Sequence, residues 1–239
     1  PHTVTPVKRD VLIEVLYQVG AKDVYTINQS LAAAIGSGVP IADASACFIM
    51  QLGAGLSAVA AISLGKIVES DSVSQGGNYL KQRLEYWFKQ HHQLDISQTS
   101  SDQVLKRVAS LDPNQNYKME VNGVSLSKHS PREVQVSNQD LQPLLTDQAE
   151  SFGRLIKKVL KKAPADLTVD VIDKGLLLSG GLAQLDGLDF FLSHYLEVPV
   201  SVVEEPDLTV IKGIGTVLEH LDQFKQSLAY ETSGGIYGS

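Results

Sequence analysis

Residues 48–63 read FIMQLGAGLSAVAAIS, two apolar runs pinched together at Gly53-Ala54-Gly55. Neither run approaches the ~18 apolar residues of a membrane span. They read instead as two strands buried on both faces, which requires helices on either side of their sheet. A glycine turn between such strands lets bare backbone N–H groups approach an anion closely. A working phosphate loop also carries an acid for Mg²⁺ and a hydroxyl close by. Here those places hold Gln51 and Leu56.

The rest of the chain alternates helix and strand. Val7, Val11, Leu12, Val15, Leu16 and Val19 recur at helical spacing up to Gly20. DVYTI (23–27) is a strand and SLAAAIG (30–36) a small-residue helix able to pack closely. SACFIMQ, SAVAAIS and KIVESDSV form a meander joined by the glycine turn and by Leu64-Gly65. QGGN (75–78) opens a helix with Leu80, Leu84, Trp87 and Phe88 on one face. A polar middle, about 89–137, holds a helix at SSDQVLKRVASL, a hairpin turning at Asn122-Gly123, and a strand at REVQVS. Ser137 and Asp140 have capping-box spacing and start a long helix lined by Leu144, Leu145, Phe152, Leu155, Ile156, Val159 and Leu160. GLLLSGG (175–181) is a buried strand that runs into LAQLDGLDFFLSHYL as helix. PVSVV (199–203) is the last strand, and a final helix runs from about Asp207 to Leu228. The organisation expected is an α/β body of residues 1–88 and 138–228, a small inserted lobe of 89–137, and a disordered tail of 229–239.

Charge and composition exclude several functions. The net charge of 20 − 27 = −7 argues against nucleic acid as a partner. Cys47, the one cysteine, lies in an apolar run, so there is no disulfide framework, and a cytoplasmic location is expected. No stretch is long and apolar enough to span a membrane. His91 and His92 diverge by about 100° on a helix and cannot share a metal; no metal site is expected. Lys157, Lys158, Lys161 and Lys162 near a helix C-terminus read as a solvated face, with an acidic partner or lipid surface as the alternative. Ser179 has no His and acid at triad positions. Gly53/Gly55 and Gly180/Gly181 each follow a buried strand, where α/β sheets gather ligands, although neither matches a standard nucleotide fingerprint.

Three segments sharpen this picture: AKDVYTINQSLAAAIGSGVPI, FIMQLGAGLSAVAAISLGKIVESDSVSQGGN and DVIDKGLLLSGGLAQLDGLDFFL. Together they resemble MreB, the rod-shape-determining bacterial homologue of actin, in register from about Pro1 to Leu221. The resemblance implies an actin-like (ribonuclease H-like) α/β ATPase fold, second half, with a small inserted subdomain; the first half, with the first phosphate loop, is expected to lie outside this chain. It also implies filaments that help determine cell shape, self-association into protofilaments, and a membrane-anchored adaptor of the RodZ type as partner. ATP and magnesium are the cofactors it implies, weakly bound or absent here. By resemblance, Gln29 orients the attacking water, and Gly53, Ala54, Gly55, Ser57, Gly77, Lys106, Gly180 and Gly181 bind nucleotide.

The resemblance breaks at the chemistry. The family's loop Asp is Gln51, its central Gly is Ala54, and its following hydroxyl is Leu56, with Ser57 next door. A later Asp is Asn78, a Lys-Glu pair reads Lys106-Arg107, and a third glycine is Leu182. Gln51 offers Mg²⁺ no charge, and Arg107 cannot accept a ribose hydrogen bond. Two readings stand, an actin-like cytoskeletal ATPase and a nucleotide-independent scaffold, and whether the chain is an enzyme stays open between them.

Overall fold

The computed structural model describes residues 5–224 and 229–231. The chain opens with α1 (Pro6–Gln18), its proline in the first turn and its N-cap Thr5 accepting from the Lys8 N–H. The apolar row that makes this helix legible stays exposed; only Ile13 is buried. Strand β1 (Val24–Thr26) leads to α2 (Gln29–Gly36), where the Asn28 side chain caps the Ser30 N–H at 2.9 Å. The meander follows as β2 (Cys47–Leu52), β3 (Ser57–Ser63) and β4 (Lys66–Val73), all antiparallel. Every residue of β2 and β3 is buried, as unbroken apolar runs require.

Next come α3 (Gly77–His92), β5 (Leu94–Ile96), α4 (Gln98–Arg107), β6 (Lys118–Ser125) and β7 (Pro131–Ser137). Strands β5, β6 and β7 form their own antiparallel sheet. The hairpin does not turn at Asn122-Gly123. Both residues lie inside β6, and the chain reverses beyond Ser125, where the His129 N–H donates to the Ser125 carbonyl. Gly123 serves a close approach instead: a Cβ there would sit 2.5 Å from the Asp95 carbonyl oxygen on β5. Ser137 and Asp140 close the expected capping box on α5 (Asn138–Lys162).

Beyond α5 lie α6 (Ala165–Lys174), β8 (Leu176–Ser179), α7 (Leu188–Leu196), β9 (Val200–Val202), α8 (Thr209–Glu219), α9 (Leu221–Phe224) and β10 (Ala229–Glu231). The helix expected to run on from the glycine pair is broken. A 3-10 turn at Gly181–Gln184 stops at Asp186, whose carbonyl takes the Leu111 N–H, and Gly187 resets the chain at φ +75° before α7. The final helix breaks at His220. The tail expected to be disordered contains β10, which pairs with β1 and satisfies backbone groups there; 232–239 lie outside the described residues.

The central sheet runs β4-β3-β2-β8-β9, with β8 and β9 parallel to β2. Phe48, Met50 and Leu52 of β2 pack with residues of α3, α5 and α7 in the larger core. Cys47 and Ile49 point the other way, under Leu31, Ala33 and Ala34 of α2 and Val217 of α8. On that side α2 and α8 touch backbone to backbone: a Cβ on Gly213 would lie 1.8 Å from the Ala32 carbonyl oxygen.

Candidate functional site

Three loops meet at the carboxyl end of β2. Gln51 of β2 stands opposite Ser179 of the parallel β8, so the 53–56 turn and Gly180-Gly181 leave the sheet side by side. Gly180 is left-handed at φ +92°, and a Cβ there would lie 2.3 Å from the Leu52 carbonyl oxygen, so only glycine fits. The third loop, 74–76, brings the start of α3 against the same turn. The Gly77 N–H donates to the Gly53 carbonyl at 3.0 Å and the Asn78 N–H to that of Ala54 at 2.8 Å. A Cβ on Gly76 would lie 2.4 Å from the Gly53 oxygen.

This packing spends two amides at the start of α3 on the turn. The Gly53 N–H is also used, by the Leu56 carbonyl at 3.0 Å. The amides of Ala54, Gly55 and Leu56 have no hydrogen-bond partner among the described residues, and Ala54 and Gly55 are exposed. Unpaired amides on a tight turn form a concave donor surface of the kind that receives an anion.

Of the residues expected to bind nucleotide, Gly53, Ala54, Gly55, Gly77, Gly180 and Gly181 are thus brought together. Ser57 is there too, but fully buried, its hydroxyl donating to the Gln75 carbonyl at 2.7 Å. Lys106 is exposed in the last turn of α4. The segment after it docks beside the 181–186 loop, where the Ser110 hydroxyl donates to the Asp186 carboxylate at 2.7 Å. Sequence reasoning passed over Gln75, whose side-chain oxygen accepts from the Ser151 hydroxyl at 2.6 Å. Its only signal was its place before the glycine pair.

Gln51 shares a face with Cys47 and Ile49 and is 5 % exposed. Gln29 opens α2, which covers that same face. Ser179, opposite Gln51, donates to the Thr209 hydroxyl at 3.0 Å. The donor set around Gln51 is therefore amide and hydroxyl, and among the described residues no group of three or more His, Cys, Asp or Glu is placed to hold a metal. The turn's shape fits a phosphate; its side chains do not fit a hydrated divalent cation, which favours carboxylate oxygen. Burial pushes the Cys47 thiol up to about 11, which leaves it inert.

The lysine run is largely engaged. Lys157 lies 4.0 Å over the Tyr195 ring, Lys158 pairs with Asp71 at 2.6 Å, and Lys162 approaches Glu69 at 3.9 Å. His91 stacks on Trp87 with ring centroids 4.8 Å apart.

A two-faced sheet with a glycine cradle at its carboxyl end is the arrangement of an actin-like domain. A crystal structure of MreB5 of Spiroplasma citri bound to ADP superposes with a TM-score of 0.90 at 23% identity, over 94% of this chain and 68% of that one. A MamK double helical filament superposes at 0.75 with 14% identity, over 92% and 66%. The chain belongs to the MreB/Mbl family, whose model, described as MreB/Mbl protein, matches residues 1–226. It is 30% identical over 224 residues to the cell shape-determining protein Mbl of Bacillus subtilis, covering 93% of this chain and 67% of Mbl. It is 29% identical to the cell shape-determining protein MreB of Escherichia coli, covering 93% of this chain and 64% of that protein. The chain therefore spans about two thirds of the length of these relatives.

Proposed function

We propose that this chain is part of an actin-like filament protein that helps determine cell shape, and that its nucleotide site keeps the family's backbone shape but has lost much of its metal chemistry. The observation that carries the reading is the pairing of free Ala54, Gly55 and Leu56 amides with an uncharged Gln51 beside them. When bound, Mg-ATP would supply a phosphate chain for those amides and a cation to offset its charge; Gln51 can hydrogen-bond but contributes no charge to that cation. Lys106 and Gly181 flank the opposite wall, and Gln29 lies on the face shared with Gln51. In this reading 1–88 and 138–228 act as the body, 89–137 as an inserted lobe, and contacts run lengthwise between copies in the cytoplasm. The substitutions at Gln51 and Leu56 also favour a second reading, a scaffold that assembles without nucleotide and docks on a membrane-anchored adaptor of the RodZ type.

The test is assembly of the full-length protein, followed by sedimentation and negative-stain microscopy with and without Mg-ATP. Open protofilaments whose yield changes little when Mg²⁺ is chelated are expected. Strictly Mg-ATP-dependent polymerisation would overturn the weakened-site reading. A closed two-fold dimer burying more than ~2,000 Å² would overturn the filament reading, because closed symmetry ends a filament.

A further inference from the structure

Away from the cradle, α3 and the first turns of α5 enclose a groove of about 640 Å³. Tyr86 and Trp87 form its aromatic wall, His91 extends it by stacking on Trp87, and Pro143 and Leu144 lie opposite. Tyr86 is 64% exposed although it is large and apolar.

The polar groups in this groove are mainly acceptors. The Nδ1–H of His91 donates to the Trp87 carbonyl at 3.0 Å, and because that oxygen can only accept, the neutral ring is left with Nε2 as an acceptor. Pro143 lies inside α5 and has no N–H, so the Gln139 carbonyl lacks its helical donor. Asp140 uses Oδ2 for the Ser137 amide and hydroxyl, and those bonds hold its carboxyl below the usual range, so it is ionised. Its Oδ1 is unengaged among the described residues. Arg83, the cation of the wall, is matched by Asp147 at 2.7 Å, which leaves Asp140 as the groove's uncompensated charge.

We propose that this groove docks an arginine side chain presented by a basic segment of a partner protein. The guanidinium would lie on the Tyr86 and Trp87 rings and donate to Asp140 Oδ1, the Gln139 carbonyl and His91 Nε2. Charge complementarity supports the choice: the groove offers acceptors, one net negative charge and π-faces, and the chain carries −7 overall. A planar cation with five donors satisfies all of these, whereas an ammonium cannot stack flat.

Trp87 is the chain's only tryptophan, so its fluorescence reports on this groove alone. The probe is a short Arg-Gly-Arg-Gly-Arg peptide titrated into the chain, against its Lys and Glu counterparts. A saturable change with the Arg peptide is expected, at least about threefold tighter than with Lys and absent with Glu. It should weaken in 0.5 M salt. Tyr86→Ala and Asp140→Asn should each weaken binding at least about threefold. Pro143→Ala restores the missing N–H, so it should weaken binding while raising the melting temperature, an opposition that a purely structural role would not produce. The proposal is overturned by no saturable change to millimolar peptide, by an equal response to the Glu peptide, or by binding unaltered in all three variants. It is equally overturned by a Trp87 signal that follows protein concentration without peptide, which would make a second copy the occupant.

Discussion

Replacing Gly213 by alanine tests the packing that joins α8 to the sheet. The added Cβ would lie 1.8 Å from the Ala32 carbonyl oxygen and 3.0 Å from the Gly36 N, both backbone atoms that cannot swing aside. Ordinary contact begins at about 3.4 Å, so α2 and α8 must separate by roughly 1.5 Å. A radial gap of 0.5–1 Å already forfeits about a quarter to a half of each contact's attraction. Leu31, Ala34 and Val217 would lose contacts together. Overpacking of this kind costs about 1–3 kcal/mol, and the better helix propensity of alanine returns up to about 1. A net loss of about 2 kcal/mol lowers the melting temperature by about 4–8 °C for a chain of this size. Gly215 lies in the same helix with nothing within 4 Å of a Cβ, so Gly215→Ala should instead raise it slightly. Thermal unfolding by circular dichroism compares the two. The reasoning fails if Gly213→Ala melts no lower than wild type, or if both substitutions destabilise alike.

Three further substitutions probe other features. Leu64 sits at φ +49° in the two-residue turn between β3 and β4 and is mostly exposed, so Leu64→Asn should stabilise by about 0.5–1 kcal/mol in urea unfolding; a loss would refute the strain. Gln148 is 1 % exposed with neither amide atom hydrogen-bonded, so Gln148→Met should raise stability by about 1 kcal/mol, whereas a fall would reveal a buried partner. Lys158 hydrogen-bonds Asp71 and lowers its carboxyl below the ordinary value, so the pair stabilises above about pH 4 and that contribution is lost as pH falls through the lowered value. Because Lys158 is well exposed, the pair contributes at most about 1 kcal/mol. Lys158→Met should therefore lower the urea midpoint at pH 6 and leave it nearly unchanged at pH 2.5; equal losses at both would contradict the linkage.

The central meander and α5 were legible because their signals are local. Unbroken apolar runs specify two-sided burial, and Ser137 with Asp140 closes a cap within one turn. Asn122-Gly123 misled because the same dipeptide that suits a turn also suits a strand crowded by a neighbour, and β5 is distant information. The break before α7 was illegible for the same reason: it depends on Leu111, far back in the chain, taking the Asp186 carbonyl. At the cradle, the glycines could be read from sequence, but that Gly76 and Gly180 abut carbonyls of 52–54 could not. Nor could the burial of the Ser57 hydroxyl on Gln75, which turns an expected ligand group into a brace for the loop.

The central claim is a phosphate cradle sound in backbone and poor in metal chemistry, and thermal unfolding of this chain with ATP tests it most directly. Ligand that binds only the folded state must raise the midpoint. The account predicts affinity for Mg-ATP no tighter than roughly 1 mM, hence a shift below about 1–2 °C at 1 mM ligand, nearly the same with Mg²⁺ or with chelator. A saturable, Mg²⁺-dependent shift with a dissociation constant in the tens of micromolar would contradict it.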